Sequence, residues 1–142
     1  MATTSIDIRK GGSNNRAMAK PEAVRRIKSY SAVNGCVYQY YFYESNRVLV
    51  DGRAAGEFVY AISADRGASF GLQIIVMQAA LEAWAAADGR ALTSSEEYAV
   101  AKMRLFQAFD AGEVPLTAKV AREVRLVVDE SNLEELLKLL GV

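Results

Sequence analysis

Residues 36–64 read CVYQYYFYESNRVLVDGRAAGEFVYAISA, and this stretch determines the class of fold that the chain can form. Tyr38, Tyr40 and Phe42 occupy alternate positions in it. Aromatic and β-branched residues fit a pleated, half-buried surface, and side chains two residues apart share one face of a strand. The alternation predicts that residues 33–64 form β-structure, with the even-numbered aromatic side chains facing the core.

Two turns are predicted inside this stretch. Glu44-Ser45-Asn46 is a cluster of turn-forming residues and predicts a first turn, followed by a short strand from Arg47 to Val50. Asp51-Gly52 predicts a tight hairpin, because both central residues of a type I′ turn need a positive φ. A third strand is expected over residues 53–64.

The third strand carries an apolar face and one glycine. Phe58, Tyr60 and Ile62 alternate along it and are predicted to face the core. Gly56 lies inside the strand and predicts a β-bulge.

Residues 65–87 combine a turn, a strand and a helix. Asp65-Arg66-Gly67 predicts another tight turn. The next residues fit either an alternating strand or one helical face, and the β-branched run Ile74-Ile75-Val76 favours a strand over 69–77. A helix is expected to follow at about 78–87.

The N-terminal region has little apolar periodicity. Residues 1–19 contain Gly11-Gly12-Ser13-Asn14-Asn15 and are predicted to be a flexible basic arm. Pro21 suits the first position of a helix, and Val24, Ile27 and Tyr30 follow at helical spacing, so residues 21–30 are expected to be a short helix, with a strand as the alternative.

The second half of the chain has helical capping signals. Asp88-Gly89 ends the Ala-rich helix, and Thr93 with Glu96 has the spacing of a capping box. The helix that begins there is expected to end at Gly112 and Pro115. Its predicted apolar stripe consists of Ala99, Met103, Phe106 and Phe109.

Two more helices are predicted beyond Pro115. Residues Leu116, Val120, Val124 and Val127 or Val128 suggest the first of them. Ser131 and Glu134 repeat the capping-box spacing before the second, which ends at Gly141. The leucines on one side of this last helix are Leu133, Leu136, Leu137 and Leu140.

The order of these elements defines the predicted fold class. Strands that segregate from helices favour α+β over a parallel α/β sheet. We expect an antiparallel meander of three to four strands packed against three to four helices, with residues 20–142 forming a single domain after the disordered arm. A chain of 142 residues is long enough for such a core.

Composition excludes several kinds of chemistry. The chain contains no histidine, so catalysis or metal binding through an imidazole is excluded. Its one cysteine, Cys36, has no intrachain partner, which favours a reducing, cytoplasmic location. No apolar run has the length of a membrane span. No nucleotide motif or calcium loop is present, and neither a cofactor nor a metal is predicted.

Charge is balanced overall but uneven along the chain. The net charge is zero, yet residues 1–35 hold seven basic residues against two acidic ones. Such a segment suits nucleic acid, an anionic surface or the acidic remainder of the same chain. The basic residues are Arg9, Lys10, Arg16, Lys20, Arg25, Arg26 and Lys28.

These features favour a non-catalytic protein-interaction module that self-associates. Tyr41 and Tyr43 fall on the strand face opposite the apolar set, and tyrosine is common at interfaces. The leucine face of the last helix is the second candidate surface, unless it packs inside the domain. The same features also allow a nucleic-acid-binding module that uses the basic segment and the sheet tyrosines. A small-ligand binder or His-independent enzyme, with a pocket between sheet and helices, is the third possibility.

Overall fold

The computed structural model describes residues 26–64, 67–114 and 124–142 of the chain. In these ranges the chain forms five strands and three helices. The strands are β1 (Lys28–Ser31), β2 (Val37–Val50), β3 (Arg53–Ala64), β4 (Phe70–Met77) and β5 (Arg125–Val128). The helices are α1 (Gln78–Asp88), α2 (Ser94–Ala111) and α3 (Leu133–Leu140). The α+β class is confirmed.

The five strands form one mixed sheet in the order β1-β2-β3-β4-β5. The first four strands form the expected antiparallel meander, but β1 replaces a predicted helix and β2 replaces two predicted strands. β5 adds a fifth strand parallel to β4, with Ile74 opposite Leu126. A parallel neighbour requires a long crossover connection, and α1 and α2 lie within the connection between β4 and β5.

The core lies between one face of the sheet and the helices. Side chains from β2, β3 and β4 that occupy alternate positions meet α2 there, and the ring of Tyr38 stacks on Phe109 with 4.2 Å between centroids. Tyr60, Leu72 and Val100 are fully buried in the same cluster. The predicted inward face of β3, which consists of Phe58, Tyr60 and Ile62, is confirmed.

The end of α1 and both ends of α2 follow the capping predictions. Thr93 Oγ1 accepts from the Glu96 amide at 3.1 Å, and a Glu96 carboxylate oxygen accepts from the Thr93 amide at 2.9 Å, so the capping box at the start of α2 is confirmed. Gly89 and Gly112 end α1 and α2 in the left-handed conformation. Pro115 lies outside the described residues.

The capping box predicted at Ser131 is wrong. Asn132 is the residue that precedes α3, and its side-chain amide nitrogen donates to the carbonyl of Val127 at 2.9 Å instead of capping the helix. The Ser131 hydroxyl donates to Asp129 at 2.5 Å. This local bonding lowers the pKa of Asp129, first through the Ser131 hydroxyl and then through its amide.

Two helical predictions are corrected to strands. Residues 28–31 form β1, because Tyr30 pairs opposite Tyr38 and its ring packs on the core, so pairing with β2 overrides the helical spacing. Val127 and Val128 lie in β5, where they pair with β4. β-branched side chains favour that setting. The rest of the helix predicted between Leu116 and Val120 lies outside the described residues, as do Asp65 and Arg66 of the predicted turn.

The buried stripe of α2 differs from the predicted one. The fully or largely buried residues of this helix are Val100, Ala101, Leu105, Ala108 and Phe109. Of the predicted stripe only Phe109 belongs to this set, while Ala99, Met103 and Phe106 are half-buried along one edge of it. The helix packs on both the sheet and α3, so its contact face is wider than a single stripe and is rotated from the prediction.

The turn predicted at Glu44-Ser45-Asn46 is also wrong. β2 runs without interruption through these residues, and the pairing register shifts by one residue between Phe42 and Glu44. A β-bulge thus absorbs the irregularity and keeps the strand paired. Gly56, where the bulge was expected, pairs regularly with Arg47 on one side and Val76 on the other.

Strand β4 and helix α1 confirm the predicted change from strand to helix. β4 ends at Met77 and α1 begins at Gln78. The side chains of Ile74 and Val76 are buried in the core, as are Ala80 and Leu81 of the helix that follows.

Candidate interaction surface

The β2–β3 hairpin extends beyond the strand that covers its edge. β1 pairs only with residues 37–40 of β2. Further along, the segment Glu44–Val50 pairs with β3 on one side, and no other strand formed by the described residues lies beside it. We call this segment the open edge of β2.

The turn at the end of the hairpin fixes which backbone groups of the open edge point outward. Asp51 and Gly52 both have positive φ, 51° and 78°, as the predicted type I′ turn requires. Val50 and Arg53 flank this two-residue turn and pair with each other. Hydrogen-bonded and non-hydrogen-bonded pairs then alternate along an antiparallel ladder.

This alternation directs every second amide of the open edge away from β3. Val50, Val48 and Asn46 belong to the hydrogen-bonded pairs of the hairpin. Ser45, Arg47 and Leu49 belong to the pairs between them, so their N–H and C=O groups point outward. Unpaired strand edges of this kind are templates for pairing with another strand.

Side-chain bonds hold the open edge in an extended form. Asn46 donates to the Glu57 carboxylate at 3.0 Å and to the Glu44 carboxylate at 3.3 Å. On the opposite face of the strand, Arg47 donates from Nη2 to Oε1 of Gln78 at 3.0 Å, which ties the hairpin to the start of α1. An edge that is already extended loses less conformational entropy when a second strand pairs with it.

Leu49 is the largest exposed apolar side chain of the open edge. It is 73% exposed, although its neighbours Val48 and Val50 are half-buried. Single exposed apolar residues are ordinary on a protein surface. Here the exposed leucine lies on the same strand as the outward amides, so one partner strand could cover both.

The predicted tyrosines lie next to the open edge rather than on it. Tyr41 pairs with Ala61 on the sheet face opposite the helices, and Tyr43 is the extra residue at the bulge. Both are half-buried, and both interact with other groups of the chain.

The leucine face of the last helix packs inside the protein. Leu133, Leu136 and Leu137 are buried in the core, and Leu140 packs against it. Internal packing is the second of the two roles that the sequence allows for this face. These four residues therefore present little surface to a partner.

The basic segment is only partly described. Arg26 and Lys28 are exposed at the start of the edge strand β1. Arg9, Lys10, Arg16, Lys20 and Arg25 lie outside the described residues.

The described residues form few other groups of side chains that could serve as a functional site. They contain no group of three or more carboxylate or cysteine side chains placed to hold a metal ion. None of their helices combines the length and the apolar character that a membrane crossing needs. Cys36 is half-buried against the core.

Sequence reasoning missed the open edge because it divided β2 at residues 44–46. One signal was available: a strand that continues from Tyr38 to the Asp51-Gly52 turn is longer than any neighbour that the four residues around Tyr30 could form. The length difference leaves one end of the longer strand uncovered.

Comparisons of this chain with protein-family models, with curated proteins and with solved structures found no match. The function is therefore argued from the geometry of the described residues.

Proposed function

We propose that this protein is a non-catalytic interaction module that self-associates by pairing the open edge of β2 with the same edge of a second copy. The observation that supports it is the row of outward backbone groups at Ser45, Arg47 and Leu49, on a strand already held extended. Strand addition to such an edge is a recurring mode of recognition. The single cysteine supports a cytoplasmic location for this module.

A second copy suits this edge because antiparallel pairing has two-fold symmetry. Each backbone bond from one copy to the other is then made twice, because a residue that pairs with a second residue across the axis is matched by the reverse pair. The edge carries both signs of charge, Glu44 and Arg47, and the chain has no net charge. Two copies therefore approach without strong mutual repulsion.

The size of the edge sets the expected affinity. Stable interfaces bury about 1,200–2,000 Å² in total, and seven-residue strands paired edge to edge bury less than this. We expect a dissociation constant in the micromolar range, which corresponds to about −8 kcal/mol. The protein should thus be a mixture of monomer and dimer whose proportions depend on concentration.

Light scattering after size-exclusion chromatography tests the proposal over a wide concentration range. The mass of the wild-type protein should rise toward twice the 15.5 kDa of one chain. Leu49→Lys should abolish the rise, because it places a second cation beside Arg47 and its symmetry copy. Leu139→Lys is the matched control, since Leu139 is also exposed, at 57%, but lies on α3.

Ser45→Pro tests the backbone contribution separately. Proline removes an N–H that points away from β3, so the hairpin keeps its own bonds while the edge loses a donor. Both variants should be monomeric at concentrations where the wild type and Leu139→Lys dimerise. A monomeric wild type at every concentration, or a dimer that survives both changes at the edge, would contradict the proposal.

A further inference from the structure

The two sides of the sheet differ in how their outer backbone groups are used. β1 and the open edge of β2 lie on one side, and β5 lies at the other end of the strand order. On the open edge, the bonds donated by the side chains of Asn46 and Arg47 go to other side chains and leave the outward backbone groups unoccupied by them. On β5, side chains of the same chain bond directly to the backbone of the edge.

The outward carbonyl of β5 accepts two side-chain hydrogen bonds. The carbonyl oxygen of Val127 accepts from Nδ2 of Asn132 at 2.9 Å and from Nε of Arg104 at 3.3 Å. A carbonyl oxygen has two lone pairs, so these two donors satisfy it. The Arg104 side chain is 17% exposed and forms an ion pair with Glu113 at 3.0 Å, which helps to hold it beside the edge.

The side chain of Asn132 occupies the place of a residue in a neighbouring strand. Its Nδ2 donates to Val127, and its Oδ1 accepts from the amide of Asp129 at 2.9 Å. A residue of a parallel strand bonds in the same way to the two residues that flank the one opposite it. The flanked residue here is Val128, which pairs with β4 on its other side. One side-chain amide therefore occupies two consecutive outward groups of β5.

A tight turn brings Asn132 back to the strand that it closes. The carbonyl oxygen of Asp129 accepts from the amides of Asn132 at 3.3 Å and Leu133 at 3.0 Å. Leu133 is buried in the core and anchors the start of α3. The edge is thus closed from one side by the residues that directly follow it and from the other by a side chain of α2.

We propose that Asn132 and Arg104 close the β5 edge to strand addition, so that self-association through the open edge of β2 ends at two copies. Proteins protect edge strands by keeping them short and charged, and β5 has four residues with the exposed Arg125 at its start. A two-fold contact uses one side of each sheet, and growth beyond the dimer requires the other side. The limit of two copies rests on the proposed function, whereas the closure of the β5 edge does not.

Amide hydrogen exchange tests the closure of the edge in the dilute protein. The Asp129 amide bonds to Oδ1 of Asn132, so Asn132→Ala should accelerate its exchange by about tenfold, the size expected for the loss of one hydrogen bond. Ser131→Ala is the matched control, because Ser131 lies in the same turn but its hydroxyl bonds to the Asp129 carboxylate. Equal exchange of this amide in the wild type and in Asn132→Ala would overturn the inference.

Light scattering after size-exclusion chromatography tests the consequence of the closed edge. A double variant that combines Arg104→Met with Asn132→Ala removes both donors to Val127 and keeps an apolar side chain on α2. Its mass should rise above twice the 15.5 kDa of one chain at concentrations where the wild type dimerises. Glu113→Gln should behave as the wild type, because it removes the ion pair and leaves Arg104 beside Val127. Circular dichroism checks that each variant keeps the fold.

The same measurement separates this inference from the proposed function. A wild type that dimerises, beside a double variant that also stops at two copies, would overturn the inference and leave the proposed function intact. A wild type that is monomeric at every concentration, beside a double variant that associates, would overturn the proposed function and support the closure of the β5 edge. Monomers in both cases would overturn both.

Discussion

The two halves of the β2–β3 hairpin consist of the same pair of strands but have different surroundings. From Val37 to Phe42, β2 has the aromatic residues of α2 above it, and β1 pairs with its first four residues. From Glu44 to Val50, β3 is the one strand of the described residues that pairs with it, and most of its side chains are exposed. The bulge at Tyr43 separates the two halves.

The difference shows that strand pairing and burial are separate properties of the sequence. Alternating aromatic residues put a large apolar area under α2 in the covered half, and this burial is where we expect most of the stability. The open half is held by the type I′ turn and by polar side-chain bonds, which leave its outer edge available. A substitution in the covered half, or in α2, should therefore lower the free energy of unfolding more than a matched substitution in the open half.

The largest expected effect is the loss of an aromatic side chain in the covered half. Phe109→Ala removes a fully buried ring that stacks on Tyr38, and it should lower the free energy of unfolding by about 3–5 kcal/mol. Leu49→Ala on the open edge should change it by less than about 0.5 kcal/mol at concentrations where the protein is monomeric. Urea denaturation followed by circular dichroism measures both. Equal losses of unfolding free energy would show that Leu49 contributes to stability as much as the buried ring of Phe109.

Two tyrosine hydroxyls, one in the covered half and one on the neighbouring strand β1, should give effects of opposite sign. Tyr60→Phe removes a buried hydroxyl that has no well-aligned hydrogen-bond partner and should stabilise the fold by about 1 kcal/mol. Tyr30→Phe removes the hydrogen bond to Asp110 and should destabilise it by a similar amount. The same denaturation experiment compares them, and a loss of stability in both would mean that Tyr60 has a partner in solution.

The Tyr30 bond also carries a pH dependence. The hydrogen bond to Asp110 is the largest cause that raises the pKa of Tyr30 from 10.0 to about 12. Because the folded pKa lies above the unfolded one, this contribution to stability is complete below about pH 10 and is lost as the pH rises toward 12. Unfolding measured between pH 9 and about 12 should show a decline that Tyr30→Phe reduces. An unchanged decline in that variant would assign it to other groups.

The turn of the open half should tolerate only glycine well at its second position. Gly52→Ala forces a side chain into φ 78°, and no neighbouring atom lies within 4 Å of the new carbon, so the cost of about 1–2 kcal/mol is conformational. Gly71→Ala on β4 is the matched control, because its new carbon would lie 3.7 Å from Val59, an ordinary contact. The control should be neutral or slightly stabilising. Thermal unfolding of both variants checks this, and equal tolerance would mean that the turn is not type I′.

The smallest expected effect concerns the start of the helix that covers the core. The Arg90 side chain is the main cause that lowers the pKa of Glu96 from 4.5 to about 2, followed by the Thr93 amide. The folded pKa is the lower one, so this contribution is present above about pH 4.5 and is lost as the pH falls toward 2. Acid unfolding of Glu96→Gln should show a shallower loss than the wild type over that interval, whereas Glu97→Gln should match the wild type.

Several parts of the fold were predictable because a local signal and the tertiary structure agree. Asp51-Gly52 forms the expected turn, and β3 has the expected bounds at Arg53 and Ala64. The change from strand to helix at Met77 also follows from β-branched residues that give way to alanine. At each of these places the residues have a strong conformational preference, and the neighbouring strands and helices are compatible with it.

The remaining parts of the fold depend on pairing with another strand, and the residues of one strand do not reveal that pairing. Residues 28–31 and 125–128 are four-residue edge strands, and they are strands because β2 and β4 lie beside them. The bulge at Tyr43 depends in the same way on the register with β3. Of the candidate site, the sequence indicated tyrosines near the edge, but the open edge itself emerges only when the lengths of β1 and β2 are compared.

Amide hydrogen exchange, measured residue by residue at low and high protein concentration, tests the self-association proposal most directly. The amides of Asn46 and Val48 bond to β3, so they should be protected at both concentrations. The amides of Ser45, Arg47 and Leu49 should exchange rapidly when the protein is dilute and become protected when it is concentrated. Rapid exchange of these three amides at both concentrations, beside protected neighbours, would contradict pairing of the open edge with a second copy.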